Sequence, residues 1–419
     1  MKKTISGIRG VAGADLDAGS VMEFCGSFAH IAGEECVMAM DTRPSGPALK
    51  DAAASALMAG GVDVLDLGVA PTPAVFREAR KYGAGIVVTS SHNPVDWNGL
   101  KFVIGGRGIN ESELQKILDM NPRYGGAGRQ RQIETTYVND AAGVIGAVDG
   151  APRIAVDAGG GAAAGFAPQM LKKIGCTVRM VSSDRGPDPT QGSLAELEQA
   201  GCRIGLAFDL DGDRLVLVID GKRQPPDMTL GLGVAGAMRA GCKKFVFSID
   251  TSIAAEKYVL ENGGRVWRSK VGEANVAGMM AELGAHAGGE GSSGGFIMPE
   301  FNCCRDGMLA GGMIASIDGT EEFDHMVQCM ERYVQKRTKI AADPGRHEEI
   351  MRKLESAFES EYSETIMIDG VKGIDENGWI LARRSNTEDV IRISAEADNE
   401  ERCAGMLRRA QEVAGNACA

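Results

Sequence analysis

Apolar residues along the chain fall into short runs that alternate with longer amphipathic segments. Ile86-Val87-Val88, Ile154-Ala155-Val156, Ile204 to Phe208, Leu215 to Ile219 and Phe245-Val246-Phe247 have the length and β-branched character of buried strands. Alternation at Val62, Val64, Leu65 and Leu67 predicts another strand. Between them the spacing predicts helices over 48–58, 228–240, 253–261 and 274–283, the first ended by Gly60-Gly61. Strand and helix in turn predict an α/β chain built from βαβ units.

The pattern breaks over 121–151, which is rich in Gly, Ala, Arg and Gln and has little periodicity. A first α/β domain is therefore expected over 1–145 and a second over 151–240. A third runs over 241–340 and ends in an amphipathic segment over 321–335. The last, over 341–419, has a helix over 346–358, strands over 365–368 and 379–382 and a closing helix over 399–413. Gly159-Gly160-Gly161 lies between a strand and a helix that runs to Lys173. It lacks both the Lys-[Ser/Thr] of a P-loop and the Gly-x-Gly-x-x-Gly spacing, so it carries no nucleotide reading.

Composition narrows the class. A length of 419 residues suits two to four domains. A net charge of −12 excludes a general nucleic-acid binder, which needs a basic face, but allows an anionic substrate where a few cations converge. The ten cysteines include no Cys-x-x-Cys and read as reduced thiols of a cytoplasmic protein. No run of about 18 apolar residues is present, so no membrane partner is expected.

Two stretches carry candidate chemistry. Thr89-Ser90-Ser91-His92-Asn93-Pro94 follows the strand at 86–88 and gathers hydroxyls, an imidazole and an amide at the carboxyl edge of a sheet. Asp209-Leu210-Asp211-Gly212-Asp213-Arg214 follows the strand at 204–208. In an extended backbone its three carboxylates face one side, where they repel unless a hard cation such as Mg²⁺ joins them. An EF-hand shares the Asp-x-Asp-x-Asp spacing, but Arg214 stands where that loop needs glycine, and an apolar strand follows at once.

The first stretch, with Asn98-Gly99-Leu100-Lys101 after it, resembles the active-site loop of the α-D-phosphohexomutases, the superfamily of phosphomannomutase, phosphoglucomutase and phosphoglucosamine mutase. Further segments resemble that superfamily in the same order: Ser6-Gly7-Ile8-Arg9-Gly10, Asp41 to Gly46 as a structural turn, the Asp209–Arg214 loop, the glycine-rich Gly288 to Gly295, Arg305-Asp306-Gly307, and Arg383-Arg384-Ser385-Asn386-Thr387-Glu388-Asp389. Three departures stand out: Ser292-Ser293 where some members have one Asn, no histidine directly after that stretch where many members have one, and Asp389 in place of the usual Pro.

The resemblance implies a four-domain phosphohexomutase architecture, in which three similar mixed α/β sheet domains and a smaller α+β C-terminal domain surround a central cleft. It implies that Ser91 carries a phosphoryl group and that Asp209, Asp211 and Asp213, with an oxygen on Ser91, hold Mg²⁺. Arg9, Lys101 and Arg214 would supply positive charge. Glu290 and Ser292 would grip sugar hydroxyls, with Gly272 also at the substrate. Arg383, Ser385, Asn386 and Thr387 would hold the non-reacting phosphate. Lys101 and His92 are both candidates for proton transfer, and His92 serves equally as a loop-orienting residue.

The implied reaction interconverts hexose 6-phosphate and hexose 1-phosphate through a 1,6-bisphosphate, which is also the activator. Asn386 leans towards mannose and glucose phosphates, with phosphoglucosamine mutase as the alternative. A non-catalytic sugar-phosphate sensor and a plain phosphatase are further readings. The oligomeric state is left open, and no threefold repeat is detectable in the sequence itself.

Overall fold

The structure, a computed structural model, describes residues 1–385 and 389–418. It contains four sheets. The first three repeat one topology that sequence comparison within the chain does not reveal. In each, a first strand pairs in parallel with a second on one side and a third on the other, and a fourth runs antiparallel beside the third. In the first domain these are Glu35–Met40, Asp63–Val69, Gly83–Val88 and Trp97–Ile104. In the second they are Arg153–Asp157, Thr177–Val181, Ile204–Phe208 and Leu215–Ile219. In the third they are Lys244–Ser248, Arg265–Ser269, Ala287–Glu290 and Gly295–Ile297. The first sheet is extended by Lys2–Thr4 and Gly7–Val11 on one edge and by Gln130–Gln132 on the other.

The strands are apolar for a physical reason. Ile86 and Val88 face one layer of the first domain while Val87 faces another, so every position of this strand's end is buried. One apolar core continues from Val37 and Val87 through Ile154 and Phe208 to Phe245 and Phe296, joining the first three domains. The fourth domain has a core of its own, with Ile350, Phe358, Ile391 and Ile393. It meets the third through a small cluster that includes Ile249, Ile253, Trp379 and Leu381. Its sheet is antiparallel throughout and is covered by helices His347–Glu361 and Glu400–Cys418. No described helix is long and apolar enough to cross a membrane.

Several elements differ from their sequence expectation. The segment over 321–335 is a helix only over Glu321–Glu331. Val334 begins a strand, Val334–Ala341, that pairs along its length with Val390–Ala397 in the fourth sheet. Its charged, half-exposed alternation hides it from an apolar-run reading. The stretch over 121–151 holds strand Gln130–Gln132 and helix Tyr137–Ile145.

Ala287–Glu290 is a buried strand despite lying largely in the glycine-rich stretch. The small size of its glycines is what lets the strand fit: a Cβ on Gly288 would lie 1.9 Å from the Val246 carbonyl oxygen, and one on Gly289 would lie 1.9 Å from that of Gly295. Gly288→Ala is therefore expected to destabilise the protein by about 1–3 kcal/mol through overpacking of the third domain, read as a lowered urea midpoint.

Candidate active site

The repeated topology places three loops alike, each between the third strand and its antiparallel neighbour. Residues 89–96, 209–214 and 291–294 occupy this position in the three domains. Two of them are the stretches that carry the sequence-predicted serine and aspartates, and the third begins one residue after Glu290.

Ser91 is fully buried and has a left-handed backbone, with φ 53°. That conformation is costly for a non-glycine residue and must be held by its surroundings. Its amide donates to Thr89 Oγ1 at 2.9 Å, and Thr89 Oγ1 donates to Asp41 Oδ2 at 2.6 Å. Asp41 also pairs with Arg43 at 3.0 Å, with both side chains completely shielded from solvent. The Arg43 guanidinium donates to the carbonyls of Ser91 (2.6 Å), Asn93 (2.8 Å), Trp97 (2.9 Å) and Pro94. A segment expected to be a structural turn thus clamps the serine loop by its backbone. The sequence signal was an Asp-x-Arg at the end of a strand, but nothing in the spacing reveals the four carbonyls.

Asp209, Asp211 and Asp213 are all fully buried, and their carboxylate oxygens lie within 4.8 Å of one another. Ser91 Oγ donates to Asp209 Oδ2 at 2.7 Å. Lys101 Nζ donates to Asp211 Oδ2 and to Asp213 Oδ2, each at 2.6 Å. Thr72 Oγ1 also donates to Asp211 Oδ2 at 2.6 Å, and Arg305 Nη2 to Asp213 Oδ2 at 3.1 Å. The Oδ1 atoms of Asp211 and Asp213 are buried with no hydrogen-bond partner. Buried, unpartnered carboxylate oxygens beside a serine hydroxyl suit a hard divalent cation, and Mg²⁺ fits this all-oxygen set.

The electrostatics are correspondingly strained. Burial, then Asp211 and Asp213, push the Asp209 carboxyl well above the usual range. Burial acts the same way on Asp213, but Arg305, Lys101 and Arg214 overcome it and hold that carboxyl well below. Burial disfavours the Lys101 cation, yet Asp211 and Asp213 more than offset it and push its pKa up. Arg9, on strand Gly7–Val11 opposite Gly99, has a buried Nε without a hydrogen-bond partner and feels the fields of Asp211 and Asp213.

A cleft of about 430 Å³ opens beside this centre and takes side chains from all four domains, among them His92, Arg214, Glu290, Ser292, Arg305 and Arg383. His92 Nδ1 lies 3.4 Å from Ser91 Oγ. Burial, then Arg214, pushes its pKa down to about 3, which keeps the ring neutral. Glu290 Oε1 accepts from the Gly272 amide at 2.7 Å, and its Oε2 accepts from Arg305 Nη1 at 3.2 Å. Gly272 therefore meets Glu290 through its backbone. Arg383 lines the cleft from strand Gly378–Arg384, and the Ser385 amide donates to the Val390 carbonyl at 3.0 Å. Asn386 and Thr387 lie outside the described residues.

Arg305, to which sequence reasoning gave no role, is central to this network. It pairs with Asp213, Glu290 and Glu273 at 3.0–3.2 Å, and so binds the aspartate loop to the third domain. Arg337 and Arg392 add cationic walls from the fourth domain. Arg43→Lys should keep a charge beside Asp41 but lose the multiple carbonyl contacts. We expect a folded protein by circular dichroism whose kcat falls about 100-fold, the size of loss that small misplacements cause.

Similarity to known proteins extends over nearly the whole chain. Residues 1–123, 136–222 and 225–333 match the domain families described as phosphoglucomutase/phosphomannomutase alpha/beta/alpha domains I, II and III. Residues 331–412 match the C-terminal domain of the same set. A protein of Pyrococcus horikoshii named "Probable phosphoglucosamine mutase" is 32% identical over 90% of this chain and 89% of its own length. A protein of Thermococcus kodakarensis named "Phosphoglucomutase/phosphomannomutase" is 30% identical over 96% and 95%. The crystal structure of a phosphoglucomutase/phosphomannomutase family protein from Burkholderia thailandensis superposes with a TM-score of 0.85 at 28% identity, covering 98% of this chain and 96% of that one.

Proposed function

The chain belongs to the phosphoglucomutase/phosphomannomutase family of mutases, and from that premise we propose how its own residues perform the isomerisation and on which sugar. The observation that carries the reading is the Ser91 hydroxyl at 2.7 Å from Asp209, inside a triad with orphaned oxygens, at the mouth of a cation-lined cleft.

Ser91 carries the transferable phosphoryl group. Asp209, Asp211 and Asp213, with an oxygen on Ser91, hold Mg²⁺, which when bound neutralises charge on that group. Phosphoryl transfer needs chiefly positioning and charge stabilisation, and Arg9, Lys101 and Arg214 supply fixed positive charge. Arg383 and Ser385, with Asn386 and Thr387, hold the phosphate that is not reacting, while Glu290, Ser292 and Gly272 orient the sugar. The phosphorus–oxygen bond to Ser91 breaks as one forms to the free sugar hydroxyl, whose proton leaves. The resulting hexose 1,6-bisphosphate turns over in the cleft, and its other phosphate returns to Ser91. Lys101 and the neutral His92 are the two candidates to take that proton. The same bisphosphate, added from outside, re-primes an enzyme that has lost its phosphoryl group.

Mannose and glucose phosphates are the substrates of this reading, because Asn386 belongs to the pattern of those enzymes. Glucosamine phosphate is a second reading, supported by the name of the Pyrococcus relative. The nine described cysteines are all free thiols, which supports a reducing, cytoplasmic setting.

Turnover of purified protein on mannose, glucose and glucosamine 1-phosphates, with Mg²⁺ and a trace of bisphosphate, decides the sugar. A clear preference identifies it. Silence on all three, with Ser91 phosphorylated, would point to another sugar or to a sensor. Ser91→Ala should abolish turnover, and near-normal activity would end the phosphoserine proposal. Asp211→Asn should weaken the Mg²⁺ dependence, and an unchanged metal titration would remove this carboxylate from the site.

A further inference from the structure

Helices Ile253–Glu261 and Glu321–Glu331 pack against each other in the third domain, and neither contributes to the cleft. His325 and Cys329 are one helical turn apart and share a face. Glu261 ends the neighbouring helix. A carboxylate oxygen of Glu261, a ring nitrogen of His325 and the Cys329 Sγ lie within 4.8 Å of one another. Among the described residues none of these three side chains has a hydrogen-bond or ion-pair partner. The exposed Glu261 carboxylate also stands at a helix C-terminus, where the helix dipole is negative and a cation is favoured. The His325 ring leans on Tyr258 at 5.3 Å, which limits the directions its nitrogens can take.

We propose that Glu261, His325 and Cys329 bind Zn²⁺, with water completing a tetrahedral shell. Imidazole, thiolate and carboxylate together suit zinc and suit Mg²⁺ poorly, so the site is chemically distinct from the aspartate triad. Zinc bonds of about 2.0–2.3 Å place donors about 3.5 Å apart, a closure that small rotations of these side chains supply. The Cys329 thiol gives up its proton to solvent as the sulfur–zinc bond forms. Glu261 and the thiolate then balance the two charges of the ion. The bound metal ties the two helices together and has no part in phosphoryl transfer.

The test is a zinc titration of the full chain in excess Mg²⁺ against a chromogenic chelator, for the wild type and for His325→Ala. His325 is exposed, so the variant keeps its fold. One zinc per chain is expected, bound about tenfold or more weaker in His325→Ala, with mutase turnover unchanged. Cobalt should give a near-ultraviolet thiolate charge-transfer band that Cys329→Ser removes. Absence of zinc binding, equal affinity in wild type and His325→Ala, or a cobalt band that survives Cys329→Ser would overturn the proposal.

Discussion

Three buried carboxylates held within 4.8 Å are the constraint on which the assembly depends. At an effective dielectric constant of about 20, each pair at that distance repels by about 3 kcal/mol. The second domain, which supplies all three, contains little to offset this beyond Arg214. The compensating groups come from its neighbours: the Lys101 cation and the Thr72 hydroxyl from the first domain, and the Arg305 cation from the third. Removing a partner from such a buried set leaves an uncompensated charge, which is far more costly than the set itself. The contact between domains is thus an electrostatic requirement as well as an apolar one.

The repeated strand order explains why the cations arrive at one place. Each of three sheets offers its third-to-fourth strand connection at the carboxyl edge, and the shared core stacks those edges together. One backbone solution serves three different loops: a buried serine hydroxyl on one, carboxylates on the next, and a turn beside Glu290 on the last. The repeat escapes notice in the sequence because it lies in topology. The three loops share no residue pattern, and the strands share only being apolar.

Much of the site was legible in the chain, and the reason is local. Ser91, His92 and the three aspartates sit in short contiguous motifs, and the strands before them are apolar runs. Groups that act across the fold were not legible. Arg43 reaches carbonyls some fifty residues away along the chain, and Thr72 reaches Asp211 across two domains. Arg305 lay in a recognised triplet, but its three carboxylate partners come from separate segments. Strand Ala287–Glu290 was hidden for a different reason: glycine usually signals a loop, whereas here it answers the close approach of neighbouring backbone.

The separate core of the fourth domain has a consequence for how the protein loses structure. The first three domains share one apolar cluster and one charge network, which couples their unfolding. The fourth meets the third through a small apolar cluster and a handful of hydrogen bonds, and supplies the Arg337, Arg383 and Arg392 wall of the cleft. A core of its own predicts a separate cooperative unit in the sense used for native-state hydrogen exchange. Its opening would free a bound sugar phosphate while leaving Ser91, Lys101 and the aspartates in place. Release of ligand and preservation of the reactive centre are therefore governed by different free energies, and a substitution can alter one without the other.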